Sequence, residues 1–162
     1  MAHSKNNNDD VAVPDQPSSP QHSVDKVINR GLMIQGWAGT AIWMAVGLLL
    51  EGLLGYKSPS YLFDQQRREL FRLAHSHGVL LNLLLIGAAL CGPYTTLPRI
   101  ANLALRIGSV LMPAGFLLAG IWHPEGDPGL AIWIVPPGAL MLIFGAVVTA
   151  ISLRGRRDHG GA

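Results

Sequence analysis

The sequence predicts an all-α integral membrane protein, a four-helix bundle of up-down-up-down topology that follows a disordered N-terminal tail. Only 14% of the 162 residues are charged and 49% are apolar, whereas a soluble domain usually carries about 25% charged residues. The charges are also nearly absent from four long apolar runs. Each run has roughly the 20 residues that a helix needs to cross a hydrocarbon core of about 30 Å.

Short polar connections join the four predicted spans, which favours antiparallel neighbours in a bundle. We place the spans at about 32–54, 73–91, 100–122 and 129–153, within one bundle domain at 29–155. Residues 1–28 are rich in Asn, Asp, Ser, Pro and Gln and show no apolar periodicity, so we expect a disordered cytoplasmic tail. Residues 156–162 form a short basic tail.

The connection between the first and second spans mixes aromatic and charged residues. Ser58-Pro59 combines an N-cap residue with a proline, which is typical of the first turn of a helix. The amphipathic residues that follow, up to about 72, either lie on the membrane surface or extend the second helix.

The fourth span carries two further proline signals. Asp127-Pro128 predicts an N-cap and first turn at its start. Pro136-Pro137 lies inside the span and should kink the helix, because proline removes a backbone donor and clashes with the preceding turn.

The basic residues at the span ends predict a location in the inner (plasma) membrane with both termini cytoplasmic. Near its span ends the terminal side carries seven cations, of which Arg106 can reach the interface by snorkelling: Lys26, Arg30, Arg99, Arg106, Arg154, Arg156 and Arg157. The other side carries four cations, partly balanced by Asp64 and Glu69: Lys57, Arg67, Arg68 and Arg72. Because the net charge is only +2 and no separate basic patch exists, the lipid bilayer is the expected partner and nucleic acid is not.

Six polar residues come to the outer end of the bundle on this topology: Glu51, His75, His77, His123, Glu125 and Asp127. Such groups are costly at membrane depth unless they are paired, hydrated or bound to a metal. Glu125 and Asp127 also suit an ordinary turn. The others are candidates for a binding site.

Helix phase separates the two histidines of the second span. A small, polar face should turn toward the bundle, and it contains His75, Gly78, Asn82 and Ala89. A different stripe should face lipid, and it contains His77, Leu81, Leu84 and Ala88. Thr40, Met44, Gly47 and Glu51 line up in the first span. Glu51, His75 and His123 could therefore meet at the bundle mouth, with Asn82 below them.

Imidazole and carboxylate groups are ligands for transition metals, so these residues predict a cofactor. Glu51, His75, His77 and His123 are the candidate ligands for Zn, Fe or Cu, and His75 with His123 is the candidate axial pair for haem b. Asn82 would support either site. A proton relay is a third possibility. The alternatives are ordinary interface hydrogen bonds for the histidines, an interhelical bridge at Asn82, and for Glu51 either snorkelling to water or an ion pair with Arg72.

The stretch FRLAHSHGVLLNLLLIGA, residues 71–88, resembles the H-x-H helix of small bacterial four-helix membrane proteins with no assigned activity. It resembles more faintly the histidine-bearing helices of the haem-copper oxidase superfamily. The resemblance implies His75 and His77 as possible ligands of haem or metal.

Three functions are compatible with these residues. The first is a metal or haem site that serves electron transfer or metal handling. The second is a structural or assembly subunit that packs beside another membrane subunit or a second copy of itself. The third is a proton- or ion-coupled carrier unit. With a single cysteine, Cys91, the chain forms no internal disulfide. It has no C-x-x-C-H motif, so a haem would be held non-covalently, and no catalytic nucleophile is predicted.

Overall fold

Every regular element in the described part of the chain is helical. The structure is a computed structural model that describes residues 29–92, 94, 97–122, 124 and 127–155. The elements are α1 (Arg30–Gly55), α2 (Pro59–Leu62), α3 (Gln65–Leu90), α4 (Arg99–Ile121), a 3-10 helix (Leu130–Ile134) and α5 (Val135–Gly155). By length and composition, α1, α3, α4 and the segment Leu130–Arg154 are each able to cross a membrane. This confirms the four apolar helices, while the predicted tails at 1–28 and 156–162 lie outside the described residues.

The second long helix begins well before the predicted apolar span. Asp64 is its N-cap, and the carboxylate accepts a 2.9 Å hydrogen bond from the backbone N–H of Arg67. The amphipathic residues therefore extend α3 rather than forming a separate surface segment. Ser58 and Pro59 do start a helix, the single turn α2, but the Ser58 side chain makes no capping bond there.

The predicted N-cap at Asp127 is wrong. The 3-10 helix starts at Leu130, and Gly129 occupies the N-cap position. At Gly129 the chain turns back against the end of α4, where a Cβ atom would overlap the carbonyl oxygen of Trp122. The N-cap thus lies two residues after Asp127, and the helix starts three residues after it.

The structure places the proline pair at the start of an α-helix, and the predicted kink in the fourth span stays a prediction. Pro136 and Pro137 fall in the first turn of α5, because the preceding turn is 3-10 and the α-helix begins at Val135. Backbone N–H groups in a first turn have no partner within the helix, so proline removes no hydrogen bond there. The proline pair thus marks a change from 3-10 to α geometry.

The four long helices form an open row in which each packs against the next in the sequence. α1 packs on α3, α3 on α4, and α4 on α5, whereas α1 and α5 make no extended contact within the described residues. Burial agrees with this arrangement. In the apolar 18-residue stretch of each span, 39% of the residues of α3 and of α4 are buried, against 11% in α1 and 17% in Leu130–Arg154. The predicted bundle is therefore open along one side, with α3 and α4 at its centre.

Glycines receive large side chains at four successive levels of the α1–α3 interface. Added Cβ atoms on these glycines would overlap the facing side chain or come within 3 Å of it. The pairs are Gly36 with Ile86, Gly39 with Asn82, Gly78 with Trp43, and Gly47 with His75. Their order shows that the helices run antiparallel. It also confirms that the small, polar face of α3 turns inward, since Gly78, Asn82 and Ala89 are buried.

The α3–α4 interface has a similar glycine contact near the N-terminus of α3 and the C-terminus of α4. The ring of Phe71 lies 2.7 Å from the position that a Cβ on Gly120 would occupy. The Nε of Arg67 donates a 3.1 Å hydrogen bond to the carbonyl of Gly120. Leu85 and Leu105 are almost fully buried toward the other end, so glycine contacts and apolar packing together hold the centre of the row.

Substitution of Gly78 should test the α1–α3 contact. We expect Gly78→Val to lower the free energy of unfolding by about 1–3 kcal/mol, the usual cost of overpacking a close-packed site, because the indole of Trp43 occupies the space. The matched control is Gly87→Val on the same helix, where nothing lies within 4 Å of an added Cβ. Denaturant unfolding in detergent measures both, and an equal loss in the two variants contradicts the glycine contact.

Candidate functional site

A cleft opens between the C-terminal half of α1 and the N-terminal half of α3. Its volume is about 1080 Å³, slightly above the range of about 300–1,000 Å³ that is typical of small-molecule sites. Apolar side chains form much of its wall: Met44, Leu48, Leu50, Leu54, Leu73 and Val79. Polar side chains gather on the same lining: Glu51, Arg68, Glu69, Arg72, His75 and Ser76. Tyr61 of α2 and Gly47 complete it.

A hydrogen bond to the backbone of α1 fixes the imidazole of His75. The Nδ1 atom lies 2.8 Å from the carbonyl oxygen of Trp43. A carbonyl can only accept, so Nδ1 carries the hydrogen, and in the neutral ring Nε2 then has a free lone pair. The same Nδ1–H to carbonyl bond orients histidines whose Nε2 binds a metal. His75 therefore offers the cleft an oriented nitrogen ligand.

Gly47 allows His75 to approach α1. A Cβ atom at this position would come within 2.8 Å of Nδ1 and 2.9 Å of Nε2, and it would overlap the carbon between them. Any other residue would push the imidazole away from the Trp43 carbonyl. The geometry of the His75 ring is thus set by a glycine one turn before Glu51 on the same helix.

Glu51 lies in the same cleft with an exposed side chain. The expected alternative, an ion pair with Arg72, is not what the structure shows: Arg72 pairs instead with Glu69, with 3.3 Å between Nη1 and Oε1. Glu51 and Arg68 make no ion pair with any of the described residues. The cleft therefore carries both a carboxylate and a guanidinium that are not neutralised within the described part of the chain.

His77 belongs to a different interface. Its Nδ1 donates a 2.8 Å hydrogen bond to the carbonyl of Leu73 within α3, and its ring centroid lies 5.2 Å from that of Phe116 in α4. The two histidines lie on different faces of α3, as their spacing predicts, but His77 contacts α4 and does not face lipid as expected. The lipid-facing prediction for the His77 stripe is wrong for Leu81 and Ala88, which are buried, because α4 packs against that side of α3.

Asn82 is 3% exposed and lies about two turns below His75 on α3, a rise of about 10 Å. Its Nδ2 donates a 2.7 Å hydrogen bond to the carbonyl of Gly78, and its amide fills the space beside Gly39. Asn82 does not line the cleft. Its hydrogen bond lies within α3, so Asn82 contributes to the α1–α3 contact by packing and not by the expected interhelical bridge.

The proposed set of metal ligands stays a prediction. His123 lies outside the described residues, as does Glu125. Among the residues that the structure describes, no group of three or more His, Cys, Asp or Glu side chains is placed to hold a metal ion. Glu51, His75 and His77 alone therefore do not form a metal centre.

No protein-family model matches the chain, and neither does any curated protein or solved structure. The resemblance of residues 71–88 to known histidine-bearing helices stays a prediction. The chemistry of the cleft is therefore the basis for an inference about function.

Several parts of the cleft have little signal in the sequence. Arg68 and Glu69 belong to it only because α3 extends beyond the apolar span. The partner of His75 is a backbone carbonyl, which no residue type reveals. Gly47 was detectable, since it lies on the same stripe of the first span as Glu51.

The tautomer of His75 can be measured directly. We expect ¹⁵N NMR of the histidine-labelled protein in detergent to show, for the neutral ring, a protonated Nδ1 and an unprotonated Nε2, with the signal assigned by its loss in His75→Ala. Gly47→Ala should remove this pattern because its methyl group displaces the ring. Gly52→Ala is the control, since its Cβ would meet no atom within 4 Å. A protonated Nε2 and a bare Nδ1 in the unaltered protein would contradict the bond.

Proposed function

We propose that the chain is a multi-pass membrane protein that binds haem b non-covalently in the cleft between α1 and α3 and serves electron transfer. The hydrogen bond from His75 Nδ1 to the Trp43 carbonyl carries the proposal. In the neutral ring it would leave Nε2 free to hold the iron of a haem, and His75 lines a cleft with apolar walls.

The number of available ligands favours haem over a bare metal ion. A structural zinc site uses four protein ligands and a catalytic site usually three. The porphyrin supplies four nitrogens of its own, so haem needs only one or two ligands from the protein. The described residues of the cleft offer one imidazole, His75, and one carboxylate that is not paired among them, Glu51.

The remaining lining suits the rest of a haem molecule. Leucine, methionine and valine side chains provide apolar contact for the porphyrin. Arg68 and Arg72 can receive the propionate groups, because guanidinium forms strong, bidentate hydrogen bonds with carboxylates. His123 is the candidate second axial ligand, and it follows α4 within two residues. Glu51 would then adjust the charge beside the iron.

The charge distribution supports an inner-membrane location with cytoplasmic termini. Near the span ends, the sequence has seven Lys and Arg residues on the terminal side and four on the cleft side. All four described carboxylates lie at the cleft end: Glu51, Asp64, Glu69 and Asp127. Since cytoplasmic ends are enriched in Lys and Arg, the cleft would face the outer side.

Reconstitution with haem tests the site. We expect the purified protein in mild detergent to bind added haemin with a Soret band, and His75→Ala to abolish that band because the axial ligand is lost. His77→Ala is the matched control two residues away and should keep the band, since its ring packs on Phe116. His123→Ala should shift the ferric spectrum from low to high spin. A Soret band that survives in His75→Ala would exclude this site.

Cysteine labelling tests the orientation. In a Cys91→Ser background, Tyr56→Cys should react with a membrane-impermeant maleimide in intact cells, because Tyr56 is 91% exposed at the cleft end. Tyr94→Cys, at a side chain 69% exposed at the terminal end, should react only after the cells are opened. The reverse pattern would place the cleft on the cytoplasmic side.

The open row supports a second candidate function, that of an assembly subunit. α1 has the most exposed face of the four long helices, which leaves room for another membrane subunit or a second copy of the chain. This function needs no cofactor. It therefore predicts that the unaltered protein shows no Soret band with haemin and that association survives His75→Ala.

A further inference from the structure

A polar bridge links α1 to α4 at the end of the row opposite the cleft. The Nε of Arg106 donates a 2.7 Å hydrogen bond to Oε1 of Gln35. The Nε2 of Gln35 in turn donates to the carbonyl of Arg106 at 2.9 Å and to the hydroxyl of Ser109 at 3.3 Å. α1 and α4 each pack on α3 and make few contacts with each other, so this bridge joins helices that are not neighbours in the row.

The guanidinium of Arg106 reaches toward the start of the helices. Its Cα lies seven residues after Arg99, about 10 Å along α4. Its Nη1 nevertheless lies 3.6 Å from the position that a Cβ on Gly31 would occupy, in the first turn of α1. The side chain thus snorkels from within an apolar helix to the level of the helix ends, where the headgroups of a bilayer would lie.

The structure provides no counter-ion for this guanidinium among the described residues. Both ion pairs of the described part of the chain lie at the cleft end, as do all four described carboxylates. Only the Nε–H of Arg106 has an acceptor there, the amide of Gln35. That bond restricts the orientation of the guanidinium, and its exposed Nη groups have no acceptor among the described residues.

The surroundings of Arg106 indicate which anion it binds. Leu103 and Val110 are spaced three and four residues from Arg106, on the same face of α4. They are 56% and 55% exposed. A phosphate next to exposed apolar side chains suits a molecule with a charged head and an acyl tail, whereas a free phosphate ion would lose hydration there without gain.

We infer that Arg106 binds the phosphate of an anionic phospholipid of the cytoplasmic leaflet, with Gln35 as the positioning residue. The lipid lies against α4, its phosphate on the Nη groups and its acyl chains along Leu103 and Val110. The inference rests on membrane insertion but not on haem, because the cleft lies at the opposite end of the molecule.

Native mass spectrometry of the full-length protein in detergent tests this site with equimolar phosphatidylglycerol and phosphatidylcholine. We expect the unaltered protein to prefer phosphatidylglycerol, with about fivefold of that preference due to Arg106. Arg106→Gln should lower the preference for phosphatidylglycerol by this factor. Arg154→Gln is the control and should keep it, because Arg154 is another exposed cation of the terminal end that lies on α5.

Gln35→Glu provides a second variant that keeps Arg106. The new carboxylate would neutralise the guanidinium from within the chain, so the preference for phosphatidylglycerol should fall as in Arg106→Gln. Excess inorganic phosphate should not displace the lipid. Displacement of the lipid by phosphate overturns the proposed lipid site. So does a preference for phosphatidylglycerol that stays undiminished in Gln35→Glu and, if Arg106→Gln folds, in that variant as well.

Discussion

The glycine-mediated contact between α1 and α3 is the constraint on which the rest of the structure depends. Apolar side chains give little net drive for helix association inside a bilayer, because lipid tails are equally apolar, so close backbone approach and van der Waals contact must supply it. At four levels a glycine on one helix receives a side chain from the other. The last level, Gly47 with His75, also borders the cleft, so the packing that holds the helices together fixes the candidate ligand as well.

The open row makes the two ends of α1 different. Toward its N-terminus, Gln35 reaches past α3 to Arg106 and Ser109, and its amide accepts one N–H of the Arg106 guanidinium. Toward its C-terminus no comparable bridge to α4 occurs in the described residues, and the space beside α1 is the cleft instead. Hydrogen bonding thus anchors α1 at one end and leaves the other end able to accommodate a ligand.

Local patterns predicted the long helices, whereas tertiary contacts decided where they end and what they touch. Apolar runs and helix phase were enough to place His75 and Asn82 on the face toward α1. Asp127 had the chemistry of an N-cap, but the contact between Gly129 and Trp122 moved the helix start. The open row also carries no local signal, because each helix has enough apolar surface for a closed bundle. Gln35 and Arg106 are 71 residues apart, so no periodicity could pair them.

Packing alone does not explain the choice of histidine at position 75. An apolar side chain is sufficient to pack against a glycine of the α1–α3 interface, since Ile86 does so at Gly36 and Trp43 does so at Gly78. An imidazole in the same role brings two nitrogens that an apolar environment penalises unless they are bonded. The Trp43 carbonyl satisfies one of them. The other remains as a lone pair beside a polar-lined cleft, and a ligand for it would offset the cost of placing histidine there.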